Sequence, residues 1–121
     1  MKLLKVLAVS LTILAMSTFA MADTLADVKA KGFIQVGVNG DLFGFGKADA
    51  QGVWRGLDVD CARAVSAAVF GSPDKLKFTP LTAKTRFTAL QSGEIDILFR
   101  NATQTLSRDT SLGLDFVQVN Y

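Results

Sequence analysis

Three short β-rich runs alternate with helix-patterned segments that each end at a glycine. This order constrains the fold more than any other feature of the 121-residue chain. In residues 33–39, Ile34, Val36 and Val38 alternate with Gln35 and Gly37, and in residues 75–80, Leu76 and Phe78 alternate. Residues 95–99 are almost continuously apolar, which suits a strand buried on both faces of a parallel sheet. Ahead of the first run, Thr24 as N-cap, Asp27 in the first turn and Gly32 at the end predict a short helix. Asp58 reads as the N-cap of a helix over residues 59–70, with Val59, Ala62, Val65 and Val69 on one face and Gly71 ending it. Ala62, Ala64, Ala67 and Ala68 would let that helix lie close to the sheet. Thr82 caps a third helix over residues 83–92, with Phe87 and Leu90 inward and Gly93 at its end. Residues 40–52 read as a loop or small hairpin, and residues 100–111 as polar chain with a single helical turn near residues 106–109. Phe116, Val119 and Tyr121 fall in an extended ending. The order α-β-(loop)-α-β-α-β implies an α/β fold, a three-layer α/β/α arrangement around a mostly parallel sheet.

Residues 1–22 have a different character. They read MKLLKVLAVSLTILAMSTFAMA: a basic start at Lys2 and Lys5, an apolar run over residues 7–16 broken only by Ser10 and Thr12, and Ala20-Met21-Ala22. These are the three parts of a secretory signal peptide, and the run is short of the roughly 20 residues that a membrane span needs. Cleavage after Ala22 would leave Asp23 first, with Cys61 too distant to be acylated there. The leader also explains the net charge. The whole chain carries 13 basic and 11 acidic residues, and Lys2 and Lys5 account for the excess of +2. A segment with balanced charge has no footprint for nucleic acid. A single cysteine excludes an internal disulfide, and the absence of histidine excludes His-dependent nucleophile relays and the usual zinc sites. Neither a cofactor nor a metal is implied.

In an open parallel sheet, ligands bind beyond the carboxyl ends of the strands. That places attention on the loop after Asn39, on residues 82–86 and on residues 101–108. The glycines of residues 37–46 lack the G-x-G-x-x-G spacing and open no helix, so they read as a flexible loop able to approach a ligand. Arg108 follows Asn101-Ala-Thr103-Gln-Thr105. Its guanidinium can take a carboxylate through two parallel hydrogen bonds, with the Thr103 hydroxyl and nearby amides assisting; on composition alone the solvated arginine of a polar loop is the favoured reading. Arg86 falls in the first turn of its predicted helix, where a cation is unfavourable by a few tenths of a kcal/mol. It reads either as a partner for an anionic ligand or as a surface residue. Trp54 and Phe45 read as local packing. Asp58 and Asp60 read as a cap and a first-turn acid rather than an acid–base pair, and Cys61 as a buried small apolar residue.

Gly56-Leu-Asp-Val-Asp60 before an Ala-rich helix, Thr82-Ala-Lys-Thr-Arg-Phe-Thr-Ala-Leu-Gln-Ser-Gly93, and Asp96-Ile-Leu-Phe-Arg-Asn-Ala-Thr-Gln-Thr-Leu-Ser-Arg108 closely resemble the type 2 periplasmic solute-binding proteins of polar amino-acid ABC transporters. The resemblance is nearest to their general L-amino-acid-binding subgroup. It implies a periplasmic protein, monomeric when complete, that captures a small L-amino acid and hands it to a membrane permease. It implies that Arg108 clamps the α-carboxylate with help from Thr103, and that the Asn101 carbonyl accepts from the α-ammonium. By the same resemblance Arg86 meets an acidic side chain, and Asn39 and Leu42 line the pocket. Ala83 stands where relatives have an aromatic residue or a serine, and Gln104 where the subgroup often has an aromatic one. The family is two-lobed and well over twice this length. The resemblance therefore makes residues 23–121 a partial N-terminal lobe, expected to hold ligand weakly because it cannot close as a hinge. Two other readings use the same scaffold: a lyase resembling the cyclohexadienyl dehydratases, which would need a general acid from elsewhere, and the sensor domain of a receptor.

Overall fold

In the computed structural model, residues 23–117 are described. The expected leader at residues 1–22, and Val119 and Tyr121, lie outside them.

Helix α1 (Thr24–Lys31) is capped by Asp23, not Thr24. The Asp23 carboxylate accepts from the amides of Leu25 at 3.1 Å and Ala26 at 3.3 Å, which satisfies first-turn donors that Thr24, already helical, cannot reach. Gly32, at φ +83°, ends the helix and donates to the Val28 carbonyl. The chain then enters β1 (Ile34–Val38), which lies at the centre of a parallel sheet between β5 (Leu76–Pro80) and β6 (Ile97–Leu98). Val36 stands opposite Phe78 on one side and Ile97 on the other.

The alternation in β1 divides the core. Ile34, Val36 and Val38 pack with Val28 of α1 and Ala62 of α2 (Leu57–Phe70). Val36 and Val38 are fully buried, each contributing roughly 1.5–3 kcal/mol. On the other face Gly37 meets Ile95, Leu81 and Leu98, beneath α3 (Arg86–Gln91), whose Ala89 joins Leu81 and Ile95 in a second cluster. Helices therefore cover both faces of the sheet, as expected. Of the small residues of α2, only Ala62 and Ser66 face the core; Ala64, Ala67 and Ala68 are exposed.

Residues 40–52 form a hairpin rather than an open loop. Strands β2 (Asp41–Leu42), β3 (Gly46–Ala48) and β4 (Trp54–Arg55) make a small antiparallel sheet in that order. Asp49 closes its second turn by accepting from the Val53 amide at 2.8 Å, the Gln51 amide at 3.0 Å and Arg55 Nε at 3.1 Å. The Val53 amide first, and then Arg55, hold the Asp49 carboxyl below its ordinary value. Trp54 packs locally as expected, with its ring 5.5 Å from that of Phe78.

The N-cap of α2 is Gly56, not Asp58. The hairpin backbone replaces a side-chain cap: the Leu57 and Asp58 amides donate to the Gly44 and Phe45 carbonyls, both at 2.9 Å. Gly56 has φ +123°, and a Cβ there would stand 2.3 Å from the Phe45 oxygen. Freed from capping, Asp58 turns inward and is 1% exposed, with Oδ2 buried and unpartnered. Burial raises its carboxyl above the ordinary value.

Other boundaries also move. Thr82 caps a turn instead of the helix itself, accepting from the Lys84 and Thr85 amides at 3.3 and 3.2 Å, so α3 starts three residues later than expected. Strand β6 is shorter than expected, because the Ile95 amide donates to Ala89 of α3 instead of to a neighbouring strand. The single turn expected near residues 106–109 is a short helix, α4 (Leu106–Ser111), capped by the Thr105 side chain.

Two stability predictions follow from the α2 start. Gly56→Ala meets both the left-handed backbone and the Phe45 carbonyl and should cost about 3 kcal/mol or more, whereas Gly52→Ala, at φ +79° in open space, should cost about 1–2 kcal/mol in urea unfolding. For Asp58, the folded state holds the proton more tightly than the unfolded state. Its favourable contribution is complete below the unfolded carboxyl value of about 3.9 and is lost as pH rises through the raised folded value. Asp58→Asn should therefore raise Tm at neutral pH, and its advantage over the native protein should shrink towards acid pH.

Candidate functional site

The chain leaves β1, crosses by α2 to β5 on one side, and returns by α3 to β6 on the other. The strand order thus reverses at β1, and the crevice beyond the carboxyl ends of β1 and β6 is a switch point where α/β sheets bind ligands. Asn39 follows β1 directly, and Asn101 follows the β6 run. Asn39 Nδ2 donates to Asn101 Oδ1 at 3.0 Å, so the two strand ends are joined across the crevice.

Two of the expected arginines converge on the same place. Arg86, the first residue of α3, sends Nη1 to the Asn101 carbonyl at 2.8 Å. Arg108, inside α4, donates through Nη1 to the Thr103 carbonyl, also on the loop after β6. The Phe87 ring lies under both, with the guanidinium carbons of Arg86 and Arg108 at 4.7 and 5.1 Å from its centroid. Cation–π attraction to one ring offsets part of the repulsion between the two charges. Burial first, and then the charges of Arg100 and Arg108, pull the Arg86 guanidinium below its ordinary value, although it remains a cation. Arg86 Nε is buried without a partner.

The Asn101 carbonyl, expected to await an ammonium, already accepts from Arg86; its second lone pair leaves room for one further donor. Leu42 sits in β2, half-buried, and Ala83 in the exposed turn before α3; neither joins the hydrogen-bonded set of Asn39, Asn101 and Arg86 or the pair of Arg108 and Thr103. Gln104 is exposed on the loop between Thr103 and the α4 cap. Asp60 pairs with Arg63 at 3.2 Å on the surface of α2, away from any acid–base role with Asp58. Cys61 is half-buried rather than buried.

Reading the sequence residue by residue missed Arg100. It lies just past β6, and its Nε donates to the Leu81 carbonyl at 3.1 Å. The signal was present in the alternation: two residues beyond Leu98, it falls on the α3 face of the sheet, the side from which Arg86 projects. A cleft of about 950 Å³ runs beside β6, lined by Ile95, Ile97, Phe99, Leu114 and Phe116, with Phe87 and Arg100 also on its wall. Among the described residues no cluster of His, Cys, Asp or Glu is placed to hold a metal ion, and no helix is long and apolar enough to cross a membrane.

A model of the bacterial extracellular solute-binding proteins, family 3, matches residues 34–119. The general L-amino acid-binding periplasmic protein AapJ of Rhizobium johnstonii is 62% identical over 102 residues, which are 84% of this chain and 30% of that protein. The glutamate/glutamine/aspartate/asparagine-binding protein BztA of Rhodobacter capsulatus is 59% identical over the same shares of the two chains. An ABC transporter/periplasmic binding protein of Brucella ovis, solved with glutathione bound, superposes with a TM-score of 0.80 at 66% identity, covering 83% of this chain and 31% of that one. The chain thus spans about 30% of the length of the curated relatives it matches. These relatives are solute-binding proteins, not enzymes. With a family model matched over most of the chain and an α/β core that superposes on a solved periplasmic binding protein, the chain belongs to the bacterial extracellular solute-binding proteins of family 3.

Proposed function

We propose that this chain is the ligand-gripping part of a periplasmic amino-acid-binding component of an ABC importer. The observation that carries the reading is the meeting of Arg86, Arg108, Asn39 and Asn101 at the switch point, with no carboxylate paired to either arginine among the described residues. The mechanism is capture; no bond is made or broken. Arg108 exchanges its neutral acceptor, the Thr103 carbonyl, for the α-carboxylate of an L-amino acid. A charge-assisted pair of this kind is roughly twice as strong as a neutral hydrogen bond, so the exchange is favourable. The Thr103 hydroxyl and amide complete the carboxylate's shell. The free lone pair of the Asn101 carbonyl accepts from the α-ammonium. Arg86 meets an acidic or polar side chain, while Asn39, Leu42 and Ala83 bound the remaining space.

The names of the relatives fit one chemical class. AapJ is named for general L-amino acids and BztA for glutamate, glutamine, aspartate and asparagine, while the Brucella ovis protein holds glutathione. The γ-glutamyl end of glutathione keeps a free α-ammonium and α-carboxylate, the pair that the proposed clamp grips. Residues 1–22 serve as a leader cleaved after Ala22, and the monomeric protein delivers its ligand to a membrane permease. Residues 23–121 belong to the first lobe of a two-lobed binder. The open edge of β6 and the apolar cleft beside it support that assignment.

Calorimetric titration of the full-length, two-lobed protein with a panel of L-amino acids and the corresponding decarboxylated amines tests the reading. Amino acids should bind and the amines should not, and Arg108→Ala should lose about 2–5 kcal/mol of affinity. Equal affinity of Arg108→Ala and the native protein would remove the clamp, and binding of no α-amino acid would remove the function.

A further inference from the structure

We propose that Arg100 is a specificity-determining residue of this site, a third guanidinium that favours ligands of net negative charge, such as dicarboxylic α-amino acids, over zwitterionic ones. The inference rests on the amino-acid-binding reading above and adds to it a residue and a charge preference.

The geometry fixes where Arg100 acts. Its Nε is tied to the Leu81 carbonyl at 3.1 Å, and the Leu81 amide is tied in turn to the Val38 carbonyl, the last of β1, at 2.9 Å. The Arg100 side chain therefore runs from the end of β6 across the carboxyl end of the central strand. It lies on the α3 face, over the crevice that Arg86 enters from the start of α3. After burial, the charge of Arg100 is the next cause holding the Arg86 guanidinium below its ordinary value.

Arg86, Arg100 and Arg108 share an unusual arrangement. Each is oriented by a backbone carbonyl, those of Asn101, Leu81 and Thr103, and not by a carboxylate. The ion pairs of the described residues lie elsewhere, at Lys31–Asp96, Lys47–Asp41, Arg55–Asp49 and Arg63–Asp60. Carbonyls orient the three cations without neutralising them, and like charges held together raise the energy of the empty site. A zwitterion brings one negative and one positive group and leaves the sum of charge unchanged. A dicarboxylic amino acid carries a second carboxylate into the cluster and lowers that sum by one. The discrimination comes from the count of cations, so removing one of them weakens it even if the other contacts persist.

The test compares glutamate with glutamine, which match in shape and differ in one charge. Calorimetry of the native protein, of Arg100→Gln and of Arg100→Lys at low and moderate salt gives the ratio of the two affinities. In Arg100→Gln the glutamate-to-glutamine ratio should fall about ten-fold, and the steeper salt dependence of glutamate binding should flatten toward that of glutamine. Arg100→Lys keeps the charge and should restore most of the ratio. A ratio equal to that of the native protein in Arg100→Gln, with both affinities lowered together, would make Arg100 a structural tether and overturn the inference, while leaving amino-acid binding in place. Should Arg100→Gln fail to fold, Arg100→Met fills the same path with an unbranched neutral chain and carries the same expectation. If the native protein binds neither amino acid, the site reading falls and this inference falls with it.

Discussion

The burial of β1 between two parallel neighbours is the constraint on which the rest depends. A strand hydrogen-bonded on both sides and covered on both faces has no freedom of register: a slip of one residue would exchange Val36 for Gly37 across the sheet. Gly37 shows how tight the fit is, since the tips of Ile95, Leu81 and Leu98 occupy the space that a side chain would need. With β1 fixed, so are Asn39, which follows it, and Leu81, which follows β5 and donates its amide to the Val38 carbonyl. These two residues anchor Asn101 and Arg100. The site inherits its precision from the core beneath it.

The same region carries an electrostatic load that the core does not relieve. Elsewhere on the surface four cations of the described residues, Lys31, Lys47, Arg55 and Arg63, meet carboxylates within 3.2 Å. At the switch point three arginines meet only carbonyls and one aromatic ring. Folding alone gains little from such a grouping, because uncompensated like charges oppose one another. Its physical sense lies in what an anion would gain on entering, and this underlies the reading of the site as a receptor for carboxylates.

Much of this was legible in the chain itself. The alternation of Ile34, Val36 and Val38, and the apolar run at residues 95–99, gave the parallel sheet. Gly32 and Gly71 marked helix ends at the residues where they occur. The starts of helices were harder to read. Asp58 has the right identity for a cap, but the helix starts before it: the Leu57 and Asp58 amides donate to carbonyls of a hairpin more than ten residues upstream, and no local pattern announces that. Thr82 and Asp23 show the same difficulty on a smaller scale, each shifting a boundary by the choice of which oxygen reaches which amide. At the site, residue type and position already pointed to Arg86, Thr103 and Arg108, and the resemblance added Asn39, Leu42, Ala83 and the role of Asn101. Arg100 escaped because the carbonyl that orients it lies nineteen residues away.

The Phe87 ring has a further consequence. Because one ring lies beneath both Arg86 and Arg108, the two guanidiniums do not behave as independent receptors. Drawing Arg108 toward a carboxylate changes both the repulsion that Arg86 feels and its share of the π face. In the proposed site the two ends of a bound molecule would therefore be energetically coupled through an apolar side chain that neither end needs to touch. Affinities measured for fragments of a ligand will not sum to the affinity of the whole.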